Sequence, residues 1–408
     1  MMVVLVGSVS ETAEEPSPPP FFPLGVHWST DLGQPSVAAP GYDDHRAYVP
    51  LRDGSLVAIR LSDGTVAWSI QQPTQFPPAV GAGLVVIASG SRLVGRHSDT
   101  ADDVWSTDVG SEVSAPLLMT AGWLIAALQN GDLVALRAVD GLEIWRTVIA
   151  GEISTRPSVG GHQLFASIND GRIVALDLAT GERTWETLLN GSPQDILPLD
   201  DLFVGSTDNF FYRLSRTDGR MQWRWRTGGD IVGPPAVDER HVIFASLDNM
   251  LRALDRNSGA QRWRRPLTGR PTGGPQAVGP MVLISGVSPE LRAFDMTSGR
   301  SAGTLQGPGE LAAPPHIVRH PSPLAPGIIV VTGDGALVGL FEARGPLRLS
   351  LDFPPPPLLP GPDALRAQDV LSSLTPLAPE PAPAATQTGV PSTTSSGVVG
   401  PPDSTPPP

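Results

Sequence analysis

Short apolar runs recur along this chain, each bounded by turn-forming residues. Leu56-Val57-Ala58-Ile59, Leu133-Val134-Ala135-Leu136, Ile173-Val174-Ala175-Leu176 and Leu251-Arg252-Ala253-Leu254 all follow a pair suited to a tight hairpin: Asp53-Gly54, Asn130-Gly131, Asp170-Gly171 and Asp248-Asn249. Asn, Asp and Gly accept the left-handed φ that such turns require. A second apolar run precedes each pair, as in Leu84-Val85-Val86-Ile87, Gln163-Leu164-Phe165-Ala166 and His241-Val242-Ile243-Phe244. Helical i, i+3, i+4 spacing is absent, so the runs read as strands.

Tryptophan sets the period. Trp28, Trp68, Trp105, Trp145, Trp185, Trp223 and Trp263 are spaced by 40, 37, 40, 40, 38 and 40 residues, and a further step of 40 lands on Gly303. Trp123 and Trp225 lie outside this register. Gly64, Gly141, Gly181, Gly219, Gly259 and Gly299 each stand four residues ahead of a slot. Several units open on a proline, as in Ser114-Ala115-Pro116, Thr155-Arg156-Pro157 and Gly233-Pro234-Pro235. Four short strands in about 40 residues form one propeller blade. The expected fold is all-β: an eight-bladed β-propeller of four-stranded antiparallel blades over residues 24–353. Asp334-Gly335 and Gly345 place the last slot at Leu349, yet Trp28 is left over. An N-terminal strand, Val26–Leu32, is therefore expected to close the ring, with Leu347–Phe353 as the alternative. Residues 1–23 read as a disordered segment, 354–408 as a Pro/Ser/Thr-rich disordered tail, and His316–Pro326 as a lengthened loop.

The repeat D-G-x-L-x-A-L-D-x-x-T-G-x-x-x-W, clearest in Asp170 to Trp185, resembles the pyrroloquinoline-quinone-type (PQQ-like) propeller family. Blade 2 departs from it, lacking the glycine turn in Ser91–Asp103, and blade 7 has Gly303 for Trp. The resemblance implies one of two roles. Members similar to the BamB-type scaffold are non-enzymatic, protein-binding parts of the outer-membrane assembly machinery in the bacterial envelope. Quinoprotein dehydrogenases instead hold the quinone with calcium above the central channel. The nearly minimal blades favour the scaffold, and the absence of Cys removes the vicinal disulfide frequent in the dehydrogenases. The expectation is therefore no catalytic residue, no metal and neither quinone nor calcium. A monomeric propeller in the periplasm or envelope is expected, its partner another protein, such as an outer-membrane assembly component.

Composition changes this picture in two places. The net charge of -13 opposes binding to nucleic acid or anionic lipid, both of which require phosphate to be neutralised. Without Cys there is no disulfide, thiolate metal site or N-terminal lipidated Cys in this sequence. Met1–Val6 is shorter than a signal core and lacks preceding basic residues; it reads either as part of the disordered N-terminus or as the remnant of an export signal. No apolar run reaches about 18 residues, the length of a transmembrane helix.

Candidate chemistry is sparse. The slot tryptophans could form an aromatic cofactor cage, but one per blade at a fixed position points to packing between blades. Asp53, Asp170, Asp248 and Asp334 lack the run of oxygen ligands found in calcium loops and fit turns. His316 and His320 have a zinc-like spacing, but Pro314, Pro315, Pro321 and Pro323 forbid the helix that would align them. One regional bias stands out: residues 209–270 hold twelve Arg against six acidic residues. At its centre are Arg220, Arg224, Arg226, Arg262, Arg264 and Arg265. They read either as a solvated strand face, partly stacked on Trp, or as a surface docking an acidic partner. The packing role of the repeat predicts that Trp185→Ala lowers stability by about 3–5 kcal/mol, measurable by urea denaturation.

Overall fold

The computed structural model describes residues 24–318 and 327–342, and within them four strands per repeat are present throughout. Thirty-two strands form eight antiparallel sheets of four, an eight-bladed β-propeller. Seven blades keep chain order from channel to rim; blade 4, for example, is Ser158–Gly160, Gln163–Ser167, Arg172–Asp177 and Arg183–Leu188. The eighth combines the two ends of the ring: His316–Val318, Gly327–Val331 and Ala336–Glu342, then Leu24–Asp31 outermost. Leu24 lies opposite Glu342 and Asp31 opposite Ala336, so the N-terminal strand closes the circle as expected. Leu347–Phe353, His320 and the expected disordered segments 1–23 and 354–408 lie outside the described residues. His316–Val318, expected as the start of a lengthened loop, is a strand, and residues 319–326 lie outside the described residues.

The middle strands are buried on both faces, which explains why their sequences are continuously apolar. Leu133, Val134, Ala135 and Leu136 of blade 3 have no exposed surface. Leu133 and Ala135 pack towards blade 4, whereas Val134 and Leu136 pack towards blade 2. The core is thus a series of slabs between blades. Six of the eight innermost strands are only two or three residues long, with a proline just before each, and the two longer ones contain proline themselves. Pro193–Pro198 lies beside the innermost strands of both neighbouring blades, around a central channel. Proline offers no N–H, so it is tolerated where a sheet edge has no pairing partner.

The slot tryptophans join each blade to the next. Their indole Nε1–H groups donate to the carbonyls of Leu61, Ser98, Ala138, Leu178, Arg216, Arg256 and Met296, at 2.9–3.2 Å, 30–33 residues further along the chain. Each acceptor begins the turn between third and fourth strands of the following blade. The ring lies against that turn's glycine. A Cβ on Gly64, Gly141, Gly181, Gly219, Gly259 or Gly299 would sit only 2.4–2.8 Å from an indole carbon, and all six have φ of +66° to +73°. In blade 2 Ala101 fills the turn with φ +66°, so the missing glycine is replaced by a strained alanine rather than by another turn. Within its own blade each indole needs a small neighbour. Trp68, Trp145, Trp185 and Trp263 lie opposite Ala58, Ala135, Ala175 and Ala253, and Trp105 and Trp28 opposite Gly95 and Gly339. Blade 5 breaks the rule with Arg213 opposite Trp223.

Blade 7 has Gly303 in the tryptophan slot and abuts the one blade built from both ends of the ring. In blade 8 the third and fourth strands come from opposite ends of the ring and are not joined by a hairpin.

Two glycines separate the contributions. Gly33 has φ +69° with nothing near its would-be Cβ, whereas Gly181 adds contact with Trp145. Gly33→Ala should cost about 1–2 kcal/mol for the left-handed backbone alone. Gly181→Ala should cost clearly more in urea unfolding; equal costs would remove the packing role assigned to the indole.

Candidate functional site

Two features depart from the repeat: an arginine-rich rim on blades 5 and 6, and the polar side chains of the channel. The outermost strands Met221–Arg226 and Gln261–Pro266 carry the rim. Alternation turns Trp223 and Trp225 inwards and leaves Arg224, Arg226, Arg262 and Arg264 exposed. Several of the six expected docking arginines have internal work. Arg224 lies 4.6 Å over the Phe210 ring. Arg262 pairs with Asp255 at 2.5 Å, which holds that carboxyl well below the usual range. Arg265 donates from Nε to the Gly299 carbonyl, the contact made by Thr30, Thr107 and Thr147 at the same register in other blades. Arg220 stands 3.6 Å from Asp218. Arg226 and Arg264 have no ion pair or side-chain hydrogen bond among the described residues. Arg264 also lies across the strand pair from Arg252, itself paired with Asp248. Among the six rim arginines these two are the exposed guanidiniums left without an internal contact; Arg240 and Arg270 of the same region are likewise exposed without an ion pair among the described residues.

The turn aspartates act as turn residues. Asp53 accepts from the N–H and hydroxyl of Ser55, and Asp170 from the N–H and guanidinium of Arg172; these bonds lower both carboxyl pKa values. Asp248 holds Ser246 and Arg252, and Asp334 holds Thr332.

The channel contains a cavity of about 590 Å³ lined by Tyr42, Pro78, Pro116, Arg156, Asp195 and His316, among others. Arg156 precedes the first strand of blade 4, and Asp195 lies in the first strand of blade 5. Burial lowers the pKa of Arg156; burial also raises that of Asp195, which the Arg156 charge opposes. The two come from neighbouring blades but make no ion pair with each other. On the far wall Tyr42 of blade 1 and His316 of blade 8 stack face to face, centroids 3.7 Å apart. Burial raises the Tyr42 pKa, keeping the phenol neutral. No sequence signal marked this set, because first-strand residues vary from blade to blade; only the flanking prolines repeat.

Comparison with known proteins follows this geometry. The family model described as "Outer membrane protein assembly factor BamB" matches residues 25–112 and 212–356, together more than half of the chain. The chain belongs to this BamB family. Two curated BamB proteins are similar over a shorter stretch. That of Nitrosomonas eutropha is 26% identical over 123 residues, 29% of this chain and 30% of the relative; that of Bordetella pertussis is 25% identical over 122 residues, 28% and 31%. The matched stretch thus spans less than a third of either relative. Among solved structures, Moraxella catarrhalis BamB superposes with a TM-score of 0.62 at 16% identity, over 78% of this chain and 99% of that one. A quinohemoprotein alcohol dehydrogenase from Comamonas testosteroni gives 0.64 at 13% identity, over 79% and 77%. These likenesses establish a shared fold.

The quinone and calcium of the dehydrogenase branch call for several oxygen ligands at the channel. Calcium needs six to eight oxygen ligands, usually several carboxylates. The channel cavity is lined by one carboxylate, Asp195, and one guanidinium, Arg156. Among the described residues no group of three His, Asp or Glu side chains is placed to hold a metal ion.

A pH dependence follows from Asp195. Its folded pKa is raised, so its contribution to stability is full below the unfolded value and declines as pH rises through the folded one. Asp195→Asn should therefore gain in melting temperature relative to wild type between about pH 4 and pH 7.5. A gap that shrinks with rising pH would contradict the burial assigned to this carboxyl.

Proposed function

We propose that this chain is a non-enzymatic, protein-binding scaffold of the bacterial cell envelope that works with outer-membrane assembly components. The family match over more than half of the sequence carries this reading. Near-minimal blades support it, since short connections leave little material for the walls of an active site. So does the cavity of about 590 Å³, whose lining holds a single carboxylate. Among the described residues no helix is long and apolar enough to cross a membrane. Closure by Leu24–Asp31 removes open blade edges within the ring, which favours a monomeric propeller.

The rim of blades 5 and 6 is the proposed contact surface, and the partner surface is acidic. A chain of net charge -13 repels acidic proteins at long range, so a local basic patch orients the encounter as well as attracting it. Arg226 and Arg264 are its effective members, because their charges are not neutralised internally. Arg224 serves partly as a lid on Phe210.

The test places a photo-crosslinking residue at position 226 or 264 in cells, followed by envelope fractionation and mass spectrometry. Crosslinks to an outer-membrane assembly component are expected. Arg226→Glu combined with Arg264→Glu should abolish that association, read from a crosslinker at an unaltered rim position, while leaving Tm unchanged. Undiminished association in the double variant would remove the rim from the mechanism. Recovery of the chain outside the envelope would remove the scaffold assignment itself.

A further inference from the structure

The channel holds an arrangement that the scaffold reading does not use. Opposite charges elsewhere in the molecule close into contact: Arg252 reaches Asp248 at 2.5 Å and Arg213 reaches Asp201 at 2.6 Å. Arg156 and Asp195 do not. Arg156 reaches solvent and Asp195 is half-buried, each feels the other's charge, and neither has a hydrogen bond or ion pair to any described residue. Both line the cavity of about 590 Å³ instead, a size typical of small-molecule sites. A ligand carrying both charges would bridge them.

The remaining lining narrows what could do so. Prolines 40, 77, 78 and 116 make part of the wall apolar, and Arg156 and Asp195 supply its charged groups. The stacked Tyr42 and His316 rings present a flat surface on which a planar group packs well. The cavity thus offers one cationic group, one anionic group and one aromatic wall.

We propose that the channel binds a small zwitterion bearing a flat ring, with an aromatic α-amino acid as the simplest example. Its carboxylate meets the Arg156 guanidinium, its ammonium meets Asp195, and its ring lies against the Tyr42–His316 pair. The rim surface lies on the outermost strands and the channel on the innermost, so both could be occupied together, and this inference does not depend on the scaffold reading.

Calorimetric titration of the full chain with L-phenylalanine, phenethylamine, 3-phenylpropionate and L-alanine tests it. L-phenylalanine should bind at one saturable site. The two singly charged analogues and L-alanine should each bind at least about tenfold more weakly, since each lacks one of the three contacts. Arg156→Gln and Asp195→Asn should weaken L-phenylalanine by a similar factor with unchanged circular dichroism. If either variant fails to fold, the ligand series on the unaltered chain decides. Absence of heat with millimolar L-phenylalanine overturns the proposal. So does 3-phenylpropionate binding as tightly as L-phenylalanine, which would make this an anion site, or undiminished binding by both folded variants.

Discussion

One hydrogen bond, made seven times, governs this molecule: an indole N–H at the rim of one blade donating to a turn carbonyl of the next. Blades whose middle strands are buried on both sides need a fixed separation, and apolar packing alone does not specify one. The indole does, because its donor and its acceptor must meet while its ring fills the gap between them. The rest of the repeat consists of accommodations to that ring. The turn it meets must lack a side chain on its inner face, hence the glycine. The residue across the strand must be small, hence the alanine of L-x-A-L. The motif that identifies the family is therefore a description of a single contact seen from both of its sides.

Two units are irregular at this contact. Blade 2 keeps the contact with Trp68 although its turn residue is Ala101, so the strain is borne by the backbone rather than avoided by relocating the turn. Blade 7 lacks the indole and abuts blade 8, the one blade whose fourth strand comes from the other end of the described chain. Trp28 is carried by that N-terminal strand.

This separates what could be read in the sequence from what could not. The period, the turns, the blade number and the closing strand were legible because each is tied to the recurring indole and so recurs with it. The small residue opposite six of the seven slot tryptophans was visible but had no explanation until the strand register was known. Channel residues carried no such mark. Arg156 and Asp195 belong to different repeats, and Tyr42 and His316 come from the first and last blades, so only the closed ring brings them to one cavity. Composition did expose the arginine excess, but not its distribution. Counting charges could not reveal that Arg262 is neutralised by Asp255 or that Arg265 replaces a threonine in a blade-to-blade contact, leaving Arg226 and Arg264 as the open positions.

Functional capacity in such a ring resides where a blade departs from its siblings. Positions shared by all blades are committed to the joint between them and cannot vary without loosening it. Blade 5 departs most on the outside: Arg213 replaces the small partner of Trp223 and reaches the carbonyls of Arg256 and Asn257 in blade 6. That bridge ties together the two blades whose rims carry the arginines, so the basic surface is presented on a pair of blades braced against each other. A rigid mount of this kind keeps the charge pattern constant in space, which is what a surface needs if it is to orient a partner rather than merely attract one. On the inside, departures appear at first-strand positions that make few contacts with the repeat core, and variation there alters the channel lining without disturbing the indole joints. The fold thereby allows its rim and its channel to change independently, each outside the constraint that holds the blades together.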